Sequence, residues 1–400
     1  MTSRSAEDES HSGEQRLPRQ DWIVLPLTGL LTVGLLAGSA EWTARRMFWM
    51  SQTSVYNCIA MDDPSTGFRG IPNCVCGGKD AETQWTDYRF NDCGLRADRP
   101  CGPKPEGSYR VVLLGSSFTL GEFVQREKTF AALLPAELEQ RTGRRIDVYN
   151  EAIMQQSPAS VALRFPEFVA AKPDMILWML TPWDIQQAAV TLPHFGQPAK
   201  RTFMGTTRQR VLGALKKKPL DAAAELQKIV HDLLMTSHTR LMAQHFFYES
   251  QSEYVKAYLA GDEEQTGFLR SEPGAAWQDY LRQFESYDLE IERRARAAGV
   301  PLVAVLLPYR SQAAMVAMGT WPNGSDPYKL DNELRSIVTG HGGIYLDILP
   351  DYRGVPNPER GYFPVDSHPN EAGHAVIARL LARELTGGQV LALKTGAPPQ

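Results

Sequence analysis

The sequence predicts an α/β chain: a three-layer α/β/α sandwich on a parallel sheet, with a helical insertion and an N-terminal transmembrane helix. Three observations predict it. Five short apolar runs alternate with helix-length stretches, the pattern of parallel strands joined by crossover helices. Roughly 120 residues of largely helical character separate the third run from the fourth. Near the N-terminus, 19 residues from Trp22 to Ala40 carry no charge. The composition, 43% hydrophobic and 22% charged over 400 residues, excludes a wholly disordered or collagen-like chain. Lys and Arg total 42 against 46 Asp and Glu, a net charge of −4, so the basic excess of a dedicated nucleic-acid binder is missing and no nucleic-acid partner is expected.

In chain order, residues 1–21 are polar and rich in Ser, Glu and Arg, and read as a disordered tail. The charge-free run follows. As a helix it spans about 28 Å, close to the bilayer core, so residues 22–42 read as a transmembrane anchor. Trp22, Trp42 and Trp49 stand where interfacial aromatics belong. An uncleaved anchor is the expectation; the rival is a signal peptide cut near Gly38-Ser39-Ala40. Charge does not orient the span, since Arg16 and Arg19 on one side balance Arg45 and Arg46 on the other.

Cysteine placement does orient it. Cys58, Cys74, Cys76, Cys93 and Cys101 all fall in one segment, 43–108, which is rich in Gly, Pro and Asp and reads as irregular. Such crowding indicates disulfide staples, two bridges and one free thiol, and hence an oxidising compartment. The spacing does not choose the pairing. A zinc site on Cys74, Cys76, Cys93 and Cys101 is the rival, disfavoured because a C-x-C pair lacks the usual ligand spacing.

The apolar runs are Arg110–Leu114, Ile146–Tyr149, Met175–Leu180, Leu302–Leu307 and Ile344–Ile348. Runs this short and this apolar suit strands buried on both faces. Helices are expected around 127–142, 157–171, 275–298, 327–339 and 371–386. The last is the clearest: Asn370 is a good N-cap, and Ala372, Val376, Ile377, Leu380 and Leu381 share one face. Residues 109–190 and 300–390 would then form the two parts of the core, 191–299 either an inserted helical cap near the C-terminal edge of the sheet or a bundle that thickens one side of it, and 391–400 a disordered end.

Two segments carry chemistry. Val111-Val112-Leu113-Leu114-Gly115-Ser116-Ser117 ends a strand in a serine at the sheet's C-terminal edge, where a nucleophile is useful. The glycine spacing fits neither nucleotide fingerprint. Val365-Asp366-Ser367-His368-Pro369-Asn370 precedes the terminal helix and offers a base and an orienting carboxylate together.

These blocks resemble those of the SGNH/GDSL hydrolase family in its bacterial, membrane-anchored, exported form. Tyr88-Arg89-Phe90-Asn91-Asp92-Cys93-Gly94-Leu95-Arg96 resembles the segment upstream of the family's nucleophile, and Gly115-Ser116-Ser117-Phe118-Thr119-Leu120-Gly121 resembles its nucleophile block. Asp366 to His374 resembles its final block, with the one-residue Asp–His spacing of envelope-polysaccharide acyltransferases. The resemblance covers roughly 85–190 and 300–388. It implies a flavodoxin-like sheet, Ser117 as nucleophile, His368 as base and Asp366 as orienter. It also places Gln155 where the family has its oxyanion glycine, Trp183 where it has its oxyanion asparagine, and Ser116 where it has aspartate. Oxyanion donors would be Ser117, Gln155 and Trp183; Ser116, Asp184 and Asn150 are candidate substrate contacts. The implied activity is an esterase or O-acyltransferase acting on acylated envelope saccharides or other esters. The implied place is the periplasmic or extracellular side of a bacterial inner membrane, with a membrane acyl-donor protein as a potential partner. The alternative is a decayed glycan-binding or scaffold relative, motivated by Gln155 and Trp183. No cofactor and no metal is expected.

Other features are read as structural. His231, His238 and His245 recur every seven residues, about 10.5 Å of helix rise, too far apart to share one ion. His374 falls inside the terminal helix. The Lys216-Lys217-Lys218 run, with Arg208 and Arg210, is a solvated face or a contact with anionic headgroups. Asn323-Gly324-Ser325 reads as a turn or a glycosylation acceptor, and Tyr309 and Trp321 as packing or a carbohydrate platform near the sheet edge.

Overall fold

A computed structural model describes residues 21–63, 67–188, 227–228 and 231–394. The expectations for residues 1–20, for 395–400, for the Lys216–Lys218 run and for the first part of the insertion lie outside these residues.

Helix α1 (Asp21–Met47) contains the charge-free run, and from Trp22 it is long and apolar enough to cross a bilayer. None of its most apolar window is buried in the protein. Among the described residues its last turns meet the domain through Glu41 and Ala44, followed by Phe48 just beyond the helix.

The cysteine-rich segment, expected to be irregular, holds two antiparallel hairpins instead. They are β1 (Ile59–Asp63) with β2 (Gly67–Gly70), and β3 (Val75–Gly78) with β4 (Thr86–Arg89). Strands of four or five residues, rich in Gly, Asp and Arg, are too short for a pattern search to find. Disulfides join Cys58 to Cys74 and Cys93 to Cys101, and Cys76 is the free thiol. Val55, Cys58, Tyr88 and Phe90 pack on Leu120 and Ala152–Met154, so the segment sits directly on the loops that follow the first two core strands.

The central sheet comprises β5 (Tyr109–Leu114), β6 (Ile146–Asn150), β7 (Met175–Leu180), β8 (Leu302–Leu306) and β9 (Ile344–Leu346), in the order β6-β5-β7-β8-β9, all parallel. Counted within this sheet the order is 2-1-3-4-5, the flavodoxin-like arrangement, whose switch point lies between β5 and β7. Every residue of β5, β7 and β8 is buried, which is why these runs read as continuous rather than alternating.

Further α-helices among the described residues are α2 (Ser117–Leu120), α3 (Phe130–Thr142), α4 (Pro158–Ala170), α5 (Pro182–Gln187), α6 (His238–Phe247), α7 (Gln251–Leu259), α8 (Glu263–Thr266), α9 (Ala275–Ala298), α10 (Arg310–Met318), α11 (Lys329–Gly340) and α12 (Glu371–Thr386), and residues 231–235 are helical too. One face of the sheet, with Val111, Leu113, Leu177 and Val305, is covered by α3 and α12. The other, with Val112, Leu114, Ile176 and Ala304, is covered by α4, α9 and α11. The α12 N-terminus is closed by Asn370, whose Oδ1 accepts from the N–H groups of Ala372 and Gly373.

Helix α9 lies inside the segment read as a cap, yet Trp277, Phe284, Ile291 and Ala295 put one buried stripe against the sheet, with Phe284 5.5 Å from Trp178. It is a layer helix of the sandwich; α6, α7 and α8 are the short helices ahead of it.

Phe284→Ala should therefore cost about 3–5 kcal/mol in urea unfolding, as for any fully packed aromatic; a change under about 1 kcal/mol would place α9 outside the core. Denatured, unreduced protein should react with one equivalent of thiol reagent and reduced protein with five, since four cysteines are bridged and one is free.

Candidate active site

Strand β5 ends at Leu114 and must turn sharply. Gly115 makes the turn at φ +151°, and a Cβ there would stand 2.3 Å from Thr119 Oγ1 and 2.9 Å from the Met179 carbonyl. Only glycine fits. Ser116 follows, and Ser117 opens α2, the single helical turn that closes at Gly121.

Arg96 holds this turn from below. Its guanidinium, 3% exposed, donates to the carbonyls of Leu120, Gly121 and Val124 and stacks over Tyr88 at 4.6 Å. Asn91 folds the chain that presents Arg96 by accepting from the N–H groups of Cys93 and Leu95. The upstream block therefore supports the nucleophile loop and does not enter the cavity. Tyr88 also accepts from the Phe123 N–H at 2.9 Å.

The second loop meets the first. Ser117 Oγ lies 2.7 Å from His368 Nε2, and His368 Nδ1 lies 2.7 Å from Asp366 Oδ1. The one-residue spacing works because Ser367 takes φ +71°, turning both flanking side chains to one side. The same Asp366 oxygen accepts the His368 backbone N–H at 3.0 Å. Phe118 and Phe123 pack on the imidazole, with ring centroids 4.8 and 5.4 Å away.

Glu82, absent from the sequence reading, fixes this loop. Its side chain is 1% exposed and accepts from the N–H groups of Val365 and Asp366 at 2.9 and 2.8 Å. It also meets His245 Nδ1 of α6 at 2.6 Å. The evenly spaced histidines thus separate in role: His245 braces the His368 loop through Glu82, His238 lies near Glu41, and His231 is exposed. Arg310, likewise missed, donates to the carbonyls of Glu359, Pro364 and Tyr248 and stacks on Tyr254. His374 is buried inside α12, stacks on Phe130 and accepts its N–H. Burial, with Arg96 and His368 nearby, pulls the His374 imidazole down to about 3, so it stays neutral.

A third carboxyl completes the setting. Glu122 Oε2 stands 3.5 Å from His368 Nε2. Burial pushes Glu122 up to about 7, against the pull of His368. Burial disfavours the His368 imidazolium too, but the charges of Asp366, Glu122 and Asp80 outweigh it and raise the imidazole above its ordinary value. Asp366 moves oppositely: burial raises it, and the facing imidazole lowers it further.

Ser116, Ser117, Glu122, Gln155, Trp183 and His368 line a cavity of about 210 Å³. Gln155 stands at φ +57°, the left-handed conformation a glycine adopts freely, so the turn keeps its shape with a side chain attached. Its Nε2 donates to Tyr56 Oη at 3.0 Å, which draws the cysteine-rich segment into the rim. The backbone N–H groups of Ser117 and Gln155 have no protein acceptor among the described residues. Trp183 sits at the start of α5 on the opposite wall.

Two expected substrate contacts lie elsewhere. Asp184 is 2% exposed and accepts from both the N–H and the hydroxyl of Thr181 at 2.7 Å, closing the α5 N-terminus as a capping box. Burial pushes it up to about 7 despite Thr181 and Ser116. Asn150 donates to the Thr119 carbonyl and accepts from the Ala152 N–H, and faces away from the cavity. Beyond His368 a groove of about 460 Å³ opens between Tyr254, Tyr258, Gln186, Asp262 and Glu264, with Tyr309 shared by both spaces. A separate hollow of about 340 Å³ near Cys93 is lined by charges already paired, Arg69 with Glu167 and Arg164 with Glu151.

No family model and no curated protein matches this sequence. Among solved structures the chain is similar to TesA, at 12% identity and a TM-score of 0.36, over 70% of this chain and 98% of that one. It is also similar to a variant of Axe2, an acetyl-xylooligosaccharide esterase from Geobacillus, at 14% and 0.37, over 69% and 94%. The psychrotrophic esterase EstA from Pseudoalteromonas is similar at 10% and 0.35, over 70% and 97%.

Replacing Glu122 by Gln removes a negative charge beside Nε2 and so destabilises the imidazolium. The His368 pKa, read from its ring carbon proton by NMR titration, should fall toward the ordinary histidine value; an unchanged titration would mean that Glu122 and His368 do not interact.

Proposed function

We propose that this chain is a serine esterase of the SGNH/GDSL type, anchored in a membrane by α1 with its catalytic domain outside the cytoplasm, and acting on acyl esters of envelope saccharides. One observation carries the reading: Ser117, His368 and Asp366, the nucleophile, base and orienter that the sequence blocks suggest, form one continuous hydrogen-bonded chain. The disulfide pairs support an oxidising compartment.

In the proposed reaction, Ser117 Oγ bonds to the acyl carbonyl carbon while His368 Nε2 takes the hydroxyl proton. Asp366 holds Nδ1–H and stabilises the imidazolium. The carbonyl oxygen becomes negative and is met by the N–H groups of Ser117 and Gln155. The tetrahedral centre then collapses, the ester C–O bond breaks, and His368 returns its proton to the leaving alcohol. Water, activated by the same imidazole, releases the acid and frees Ser117. A sugar hydroxyl in place of water would give O-acyl transfer, and the groove beyond His368 favours keeping this second reading. Its tyrosines, amides and carboxylates are the side chains that bind saccharides, through ring stacking and hydroxyl hydrogen bonds. Against a decayed glycan-binding protein stands the left-handed Gln155, which keeps a backbone donor at the cavity wall where that reading needs none.

A fluorophosphonate probe should label the wild-type chain and not Ser117→Ala, and His368→Ala should lower both labelling and acetate release from an acetylated saccharide by roughly 10³-fold or more. Equal labelling of Ser117→Ala would remove Ser117 as nucleophile. Saccharide binding without acetate release would favour the binding-protein reading.

A further inference from the structure

The end of α1 does more than lead into the domain. Glu41 follows the charge-free run directly and accepts four hydrogen bonds at the start of α6. The donors are Ser237 Oγ at 2.6 Å, Thr239 Oγ1 at 2.9 Å, Thr239 N at 3.0 Å and His238 N at 3.2 Å. Two turns later Phe48 packs on His245, with rings 5.1 Å apart. Helix α6 therefore runs beside the last turns of α1 in the same direction, with its N-terminus at the level where the apolar run ends. That level also holds Trp42, 63% exposed, with Arg46 over its ring at 5.4 Å, the amphipathic pair expected at a headgroup layer.

Immediately before this junction the chain exposes three consecutive apolar side chains: Leu233, Leu234 and Met235, at 38%, 60% and 50%. Met235 is two residues from Ser237, so it lies within about 7 Å of the junction whatever path the chain takes, and Leu233 within about 14 Å. Isolated apolar side chains at a surface are ordinary; three in a row beside the exit of a bilayer-length helix are not.

We propose that Leu233, Leu234 and Met235 form a membrane seat, dipping into the lipid interface beside α1, so that the domain rests on the bilayer at two points and does not swing from one tether. This rests on α1 spanning the membrane. The seat is connected to the chemistry: α6, whose start Glu41 caps, carries the His245 that meets Glu82, and Glu82 holds the backbone of the His368 loop. The bilayer, the seat and the catalytic loop are thus joined through three contacts, which fixes the height of the cavity above the lipid.

The test uses the full chain in phosphatidylcholine–phosphatidylglycerol vesicles, in a Cys76→Ser background. A single environment-sensitive fluorophore is attached at Leu234→Cys, at Met235→Cys or, as a reference inside the span, at Leu31→Cys. The expected result is emission shifted to the blue and quenched by nitroxides on the lipid acyl chains at both seat positions. Blue emission without lipid quenching means that protein covers these residues and overturns the seat. Emission like that of the free fluorophore in buffer, with Leu31→Cys still lipid-quenched, overturns the seat and leaves the anchor standing. If the Leu31→Cys label is also in water, the anchor reading fails and the seat with it. The seat residues are exposed, so labelling there leaves the packing intact, and two adjacent positions guard against one that misfolds.

Discussion

Two segments 251 positions apart have to deliver a hydroxyl and an imidazole to within 2.7 Å of each other, and this hydrogen bond constrains the rest of the architecture. Neither loop holds itself. The Ser117 turn is a single helical turn closed at Gly121, and the His368 loop contains little regular structure. Buried charges fix both. Arg96 collects three carbonyls of the first loop, Arg310 ties Pro364 of the second to Glu359 and Tyr248, and Glu82 collects two N–H groups of the second. Charge-assisted hydrogen bonds of this kind are stronger than neutral ones and directional, and losing one partner strands several buried backbone groups at once. The cysteine-rich segment, which supplies both Arg96 and Glu82, is therefore part of the scaffold that holds the Ser117 and His368 loops. Its disulfides keep two weak hairpins in a shape from which those side chains reach the loops.

How much of this was legible follows from the range of the interactions. Strands buried on both faces announce themselves as apolar runs, and β7 was read to the residue. Helices α9 and α12 match their expected bounds, and α12 carries the local signal of the Asn370 cap. Where α9 packs is not a local property, so it was grouped with its neighbours in the chain although its stripe belongs to the sheet. Ser117, Asp366 and His368 were legible because their blocks are contiguous. Glu82, Glu122, His245 and Arg310 were not: each acts across tens to hundreds of residues, and nothing around them in the chain marks them out. Asp184 shows the opposite failure. It stands three residues after Thr181, the spacing of a capping box, and its own helix end claimed it before any substrate could.

The Gln155 side of the cavity, the proposed oxyanion wall, holds a left-handed turn on a residue that carries a side chain. A residue with a Cβ pays roughly 1–2 kcal/mol to sit in the left-handed region. Gln155 sits there, held by the contact of its amide with Tyr56. A turn that costs energy and is nonetheless kept is explained if its N–H direction matters, because an oxyanion is recognised by backbone donors whatever side chain they carry. Trp183 has no such equivalence. An indole N–H has a different geometry from an amide, so in the proposed reaction the demand for charge stabilisation falls on the backbone N–H groups of Ser117 and Gln155.

The electrostatic setting of His368 has a further consequence. Asp366, Glu122 and Asp80 all raise its affinity for a proton. In the proposed reaction this stabilises the imidazolium formed when Ser117 gives up its proton, which lowers the barrier to attack. It also extends to higher pH the range in which the resting imidazole is protonated and unable to act as a base. The two effects pull in opposite directions at a fixed pH and agree only where the imidazole is neutral before attack, on the alkaline side of its raised pKa. Glu122 is itself pushed up to about 7, so as pH rises through that range it gains charge and holds the imidazolium more tightly. A carboxyl that titrates beside the base therefore broadens the acid limb of any rate profile beyond what one histidine would give, and its removal should sharpen that limb as well as shift it.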